Sequence, residues 1–251
     1  MTRSLLFKTV ATATLLAAAS ASFAFAAPAG HIADRDPVVR VTMEDVNASN
    51  EKIRMAYGAL ATMWTQEFKT AGARFEVPRI ARYEHTIMTS CGVIQANNAE
   101  YCPEANTIFY DEVFAAGMAK QAALSLGTDG DMAAVGIIAH EMGHAVAIQL
   151  GHDSRSSYQN EATADCLAGA FAEQSQRDGN LEKGDIEEAF FGMSLAGDPI
   201  PEPTGNERVD ARIASRIAQQ SHGTKDQRMQ NFRNGLTGGP RACLAEFGSA
   251  S

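Results

Sequence analysis

Basic charge is what this chain most conspicuously lacks: 21 Lys and Arg stand against 30 Asp and Glu, a formal net charge of −9 at pH 7. With no basic stripe to displace counterions, nucleic acid and anionic lipid are argued against as main partners. Cysteine is also scarce. The four present, Cys91, Cys102, Cys166 and Cys243, include no CxxC pair, which argues against a cysteine-built zinc site. Beyond residue 27 no run is long and apolar enough to span a membrane, and there are no internal repeats. What remains, with 45% hydrophobic residues, can bury one substantial core.

The first 27 residues differ from the rest. Arg3 and Lys8 precede an uncharged run from Thr9 to Ala27 rich in Ala, Leu, Ser and Thr, ending in the small-x-small triplet Ala24-Phe25-Ala26. This is the pattern of a secretory signal, with residues 1–26 removed; the alternative is an uncleaved N-terminal membrane anchor. An exported chain with an even number of cysteines favours disulfides. The expected location is therefore the periplasm or the medium, and a membrane contact arises only if the N-terminal segment is retained. Residues 27–43, rich in Pro, Ala, Asp and Arg, read as a tether, and 44–251 as the folded domain.

From Glu44 to Thr70 apolar residues recur at helical spacing, with Gly72 as a stop. Short β-prone pieces follow at Arg74–Val77, Thr86–Met88 and Thr107–Tyr110, broken by Pro78, Gly92, Asn97-Asn98 and Pro103. Helices are predicted over Asp111–Leu126, Asp131–Leu150, Ser157–Arg177 and from Asp185 to Ala196. After the proline-rich linker Asp198–Gly205 come Glu207–Gln220 and Lys225–Asn234. The fold class is α+β, mainly helical, with a small sheet on the N-terminal side. Thr107–Tyr110 reads as an edge strand along which an extended peptide could lie.

The chemistry centres on His140-Glu141-Met142-Gly143-His144, inside the apolar helix Val135–Ile148. Histidines four apart share one helix face, so both imidazoles can reach a single metal, and zinc suits them. Glu141, beside the first ligand, can take the proton of a water that the metal has acidified. Six histidines in 251 residues leave HExxH some scope to arise by chance, so a third ligand matters. The positions where an extended motif would carry glycine and a third histidine hold Ala147 and Leu150, and His152 lies past the helix end at Gly151. The better candidate is Glu161 in Asn160-Glu161-Ala162-Thr163-Ala164-Asp165, with Asp165 one turn on to accept a hydrogen bond from a ligating histidine. The plain alternative is a solvated acidic face. The surrounding Ala162, Ala164, Leu167, Ala168 and Phe171 instead describe a buried helix, where two carboxylates need partners.

The pair HEMGH and NEATAD is similar to the thermolysin-like (gluzincin) arrangement of zinc peptidases. More specifically, the chain resembles the bacterial family called putative neutral zinc metallopeptidases. The matching landmarks are Cys91-Gly92, Tyr101-Cys102-Pro103, Ile108 to Asp111, Gly130-Asp131, Ile138 to His144, Ala164 to Gly169 and Gly184 to Ala189, followed by His222-Gly223, Gln227-Arg228, Phe232, Gly235 and Cys243. The resemblance covers residues 86–247 and implies one zinc ion, a zincin-like fold with HExxH on a central helix, and peptidase activity. Residues 200–221 depart from the pattern expected before the His-Gly pair.

The expected protein is thus an exported zinc peptidase with His140, His144 and Glu161 as ligands, Glu141 as general base, and a peptide or protein as substrate. The rivals are a zinc hydrolase of a non-peptide amide and a non-catalytic, zinc-stabilised binding protein. Cys91 with Cys102 would close a short loop in the β-rich region, leaving Cys166 to pair with Cys243. His222, followed by Gly223 between two predicted helices, reads either as a donor to the developing oxyanion or as a capping or surface histidine. Tyr110 and Tyr158 are further cleft candidates. His31 and His85 have no ligand-like spacing.

Overall fold

The computed structural model describes residues 39–247, apart from 153, 155 and 221. The expected signal segment, 1–26, and most of the expected tether, 27–38, lie outside the described residues. Helix α1, Met43–Thr70, starts where Thr42 forms a capping box with Asp45, each side chain accepting from the other's backbone N–H. Lys120 and Thr42 hydrogen-bond the Asp45 carboxylate and hold its pKa down to about 2. One face of α1 buries Val46, Ile53, Leu60, Trp64 and Phe68, the i, i+4, i+7 stripe that its sequence carries.

Five strands follow: β1 Arg79–Tyr83, β2 Ile87–Thr89, β3 Gly92–Ile94, β4 Ala99–Cys102 and β5 Thr107–Asp111. A three-stranded sheet has the order β1-β5-β4, with β1 parallel and β4 antiparallel to β5; β2 and β3 form a separate hairpin. Two expectations fail here. Residues 74–77 form no strand, because the Glu76 backbone is bonded by side chains: its N–H donates to Gln149 and its carbonyl accepts from Asn106 and Gln149. Residues 107–110 are in the central strand, not an edge, with Ile108 and Tyr110 buried. The apolar run of β5 fits a strand covered on both sides, and the edge strands are β1 and β4.

The helices are α2 Glu112–Leu126, α3 Asp131–Gln149, α4 Ser157–Arg177, α5 Asp185–Leu195, α6 Glu207–Gln220 and α7 Lys225–Phe247. The structure is α+β and mainly helical with a small sheet, as expected. Asp111 caps α2 by accepting from the N–H groups of Val113 and Phe114. The fully buried Glu188 of α5 does the same for α3, accepting from Gly130 N–H at 3.0 Å and Met132 N–H at 2.9 Å. Helix α7 runs well past the expected end at Asn234, with a kink at Gly239 before Pro240. Gly235, just past that expected end, is a crossing point. A Cβ there would sit 1.7 Å from the Cys166 carbonyl oxygen, and one at Gly169 would sit 2.0 Å from that of Phe232. Helices α4 and α7 therefore touch backbone to backbone. The Cys166–Cys243 disulfide joins them, and Cys91–Cys102 ties the β2-β3 hairpin to the end of β4; both are the expected pairings.

Candidate metal centre

Helix α3 runs through the core, and only a helix of small residues fits there: Ala133, Ala134, Gly136, Ala139, Gly143, Ala145 and Ala147 let its neighbours come close. Gly143, between the two histidines of the motif, is where α4 crosses. A Cβ at this position would lie 2.8 Å from the Ala164 carbonyl oxygen and 2.9 Å from the Ala164 Cα, so no larger residue permits this approach. The crossing brings Glu161 and Asp165 of α4 onto the histidine face of α3.

The three candidate ligands converge. His140 Nε2 and His144 Nε2 are 3.1 Å apart. Glu161 Oε2 is 3.1 Å from His140 Nε2, and Oε1 is 3.5 Å from His144 Nε2. A tetrahedral ion with bonds of about 2.0–2.1 Å has ligand atoms about 3.3 Å apart, so these separations suit zinc. The proton inventory points the same way. His140 Nδ1 lies 2.8 Å from Asp165 Oδ1 and donates to it, which leaves Nε2 as a lone pair facing the other two acceptors. With both Nε2 atoms unprotonated, Glu161 Oε2 is buried without a hydrogen-bond donor. Acceptors pressed together in this way need a cation between them.

The electrostatics agree. Burial and the nearby Arg228 oppose a charge on His140, yet hydrogen bonds with Asp165 and Glu161 outweigh them and raise its pKa to about 10. Burial would raise the Glu161 carboxyl, but hydrogen bonds from His140 and His144 prevail and hold it below the ordinary carboxylate range. The site draws in positive charge, as a proton or as a divalent ion.

Asp165, fully buried, is itself gripped by Arg228 of α7. The guanidinium Nη2 is 2.6 Å from Asp165 Oδ1 and Nε is 3.1 Å from Oδ2, while Nη1 donates to the Ala196 carbonyl at 3.0 Å. This fork satisfies a buried carboxylate that would otherwise be costly. Arg228 had no assigned role in the sequence reading; the signal that could have found it is the Gln227-Arg228 landmark. A second contact was also invisible there: the Tyr101 N–H of β4 donates to Glu141 Oε2 at 2.8 Å.

These groups line one cleft of about 510 Å³, walled by β4 on one side and by Phe114, Met118, Ile137 and Met193 among its apolar residues. Its volume is in the range of ligand pockets. His222 lines it as well, with a largely exposed side chain 3.4 Å from Asp198 Oδ1 and a backbone N–H that donates to Asp198 Oδ2 at 2.8 Å. Tyr110 is not in this cleft; it is buried and its hydroxyl donates to Asn50. Tyr158 does not line it either, but packs beside Gly223. His85 is exposed, His152 is not in the ligand group, and His31 lies outside the described residues.

A family profile described as "Putative neutral zinc metallopeptidase" matches residues 34–247. Two relatives are 32% identical over 205 residues, covering 74% of this chain and 67% of theirs: the uncharacterized protein YpfJ of Escherichia coli strain K12 and its namesake in strain O6:H1 CFT073. No solved structure matches the chain.

Proposed function

The chain belongs to the putative neutral zinc metallopeptidase family, and from that premise we propose that it is a zinc-dependent peptidase with a zincin-like active site, acting outside the cytoplasm. The observation that carries this reading is the convergence of the Nε2 atoms of His140 and His144 with the two carboxylate oxygens of Glu161, at separations of 3.1–3.5 Å that suit a tetrahedral zinc site. These residues would hold one ion per chain. Zinc bound there supplies a Lewis acid that polarises a carbonyl and lowers the pKa of a water.

The chain's own residues do the rest. Glu141 takes the proton of the attacking water and hands it to the leaving amine. Its second oxygen is held by Tyr101 N–H, which fixes the carboxylate against the edge strand. Asp165, clamped by Arg228, orients His140 through Nδ1 so that Nε2 faces the ion. The β4 edge offers main-chain groups to an extended peptide, the role expected of β5 before the sheet order was known. His222 donates to the carbonyl oxygen as negative charge develops on it.

Export is supported by the two disulfides, which persist in oxidising compartments. Among the described residues no helix is long and apolar enough to cross a membrane, so a membrane contact would require the N-terminal segment to be retained. The acidic balance favours a peptide or protein over a nucleic acid as partner. A structural zinc site is closed by four protein ligands; the three-ligand group here opens on a cleft that also holds Glu141, which disfavours a purely stabilising role. The rival with the same ligands is a hydrolase of small amides. Turnover of a peptide library by the zinc-loaded chain, set against a panel of non-peptide amides, separates the two. Peptide hydrolysis abolished by a chelator and restored by zinc is expected; hydrolysis of small amides alone would replace the peptidase reading.

A further inference from the structure

Most of the charged groups lining the cleft have an assignment. Glu161, His140 and His144 form the ligand group, Arg228 is locked on Asp165, and Glu141 is bonded by Tyr101 N–H. His222 is paired with Asp198. One carboxylate is left. Glu100, on β4, lines the same cleft and is half-buried, yet among the described residues its carboxylate has neither an ion pair nor a hydrogen bond. Its surroundings make that arrangement costly, because burial and the negative charge of Glu141 both push its pKa up. Its place is fixed. Glu100 pairs with Phe109 of β5 in register, and the next residue, Tyr101, is bonded to Glu141. A carboxylate on a rigid strand, beside the catalytic carboxylate and without a partner, is complementary to a positive group entering the cleft.

We propose that Glu100 is a specificity-determining residue that binds a cationic group of the substrate peptide, supplied either by a Lys or Arg side chain or by a free N-terminal ammonium. The inference rests on the peptidase reading. A cation placed there would gain charge-assisted hydrogen bonds in a half-desolvated site, an effect that corresponds to about tenfold or more in selectivity. The two sources lead to different enzymes: a side chain gives cleavage next to basic residues, whereas the ammonium makes the protein an aminopeptidase.

The test uses the full-length, zinc-loaded chain and its Glu100→Gln variant on Ala-based octapeptides. One Lys is walked through the sequence, each peptide is matched by a norleucine analogue, and every peptide is made with an acetylated and with a free N-terminus. The readout is the ratio of kcat/KM for charged over neutral peptide within each enzyme, so that any general loss of activity divides out. The proposal expects a ratio of about ten or more in the unmodified chain, falling below about two in Glu100→Gln. A ratio tied to one Lys position identifies the side chain, and one abolished by acetylation identifies the N-terminus. A ratio near one throughout, or one that survives Glu100→Gln, overturns the proposal. A binding arm keeps the two readings distinguishable. Dissociation constants of the same peptides are measured on Glu141→Gln with and without Glu100→Gln. Failure to cleave every peptide would count against peptidase action, while cation-selective binding lost with Glu100→Gln would still support the role of Glu100. Binding without that selectivity, or no binding of any peptide, overturns it.

Discussion

The two helices that carry the ligand group and the segments that rim the cleft are built on different principles. In α3 and α4 the functional residues are four apart on single helices, His140 with His144 and Glu161 with Asp165, so local spacing alone sets their faces. Two close approaches then hold them in place, α3 on α4 at Gly143 against Ala164 and α4 on α7 at Gly235 against Cys166. The rim is assembled from residues far apart in sequence: β4, packed on β5 and bonded to Glu141, and the neck where Asp198 bridges to Thr224 and binds His222. On the proposed function, the two helices would determine whether an ion is held, and the rim what is bound beside it. Substitutions in the first region should therefore remove metal, while those in the second should change turnover or selectivity with metal retained.

The largest effect is expected at the ligand group. Glu161→Ala removes one of the three proposed ligands and leaves two imidazole acceptors without their counter-charge. Zinc content by elemental analysis should fall to background along with activity, whereas full zinc retention would remove Glu161 from the ligand set.

Next come the two disulfides, which staple one region each. Replacing Cys166 and Cys243 with Ser frees α7 from the ligand helix and should cost about 2–5 kcal/mol in denaturant unfolding, with weaker zinc retention. Replacing Cys91 and Cys102 loosens only the hairpin and β4. Because 11 residues separate this pair against 77 for the other, the loss should be about 1–2 kcal/mol smaller. Equal losses, or zinc loss only in the second variant, would contradict the division.

A substitution at the rim should behave differently. His222→Ala is expected to lower kcat about a hundredfold with little change in KM and with zinc content unchanged. Normal turnover would assign His222 to its contact with Asp198 alone.

The smallest effect lies away from both regions. Burial, together with Asp131, Glu188 and Asp129, raises the pKa of Asp185 from 3.8 to about 6, although the Glu182 N–H partly opposes this. A raised carboxyl favours the protonated folded state. Its contribution is fully present below about pH 4 and is lost as pH rises through about 6. Asp185→Asn should therefore stabilise the chain by about 1 kcal/mol or less above pH 6 and have no such benefit below pH 4, as thermal unfolding across pH would reveal. A gain at low pH only would reverse the sign and refute the account.

The same contrast explains what the sequence made legible. The grouping of the candidate ligand residues and the bounds of α4 and α6 were readable, because helical periodicity and i, i+4 spacing are local signals. The sheet was not. Nothing in Thr107–Tyr110 says that it has a neighbour on both sides, and β4 carries Asn98, Ala99 and Glu100 in or beside a strand with little β propensity. The crossing at Gly235 was not readable, because a glycine at a helix crossing and a glycine at a helix end look alike in one dimension. Arg228 escaped for a related reason: its partner Asp165 is 63 residues away.

The central claim is that holding the ion and moving the proton are separate tasks within one motif. Glu141→Gln tests it most directly, because the substitution keeps size and the hydrogen bond to Tyr101 N–H but removes the base. Zinc stoichiometry and peptide turnover should be measured on the same preparation. The account predicts one zinc per chain, as in the unmodified protein, with kcat lower by about 10²–10⁴-fold. Turnover that persists undiminished with zinc bound would contradict it.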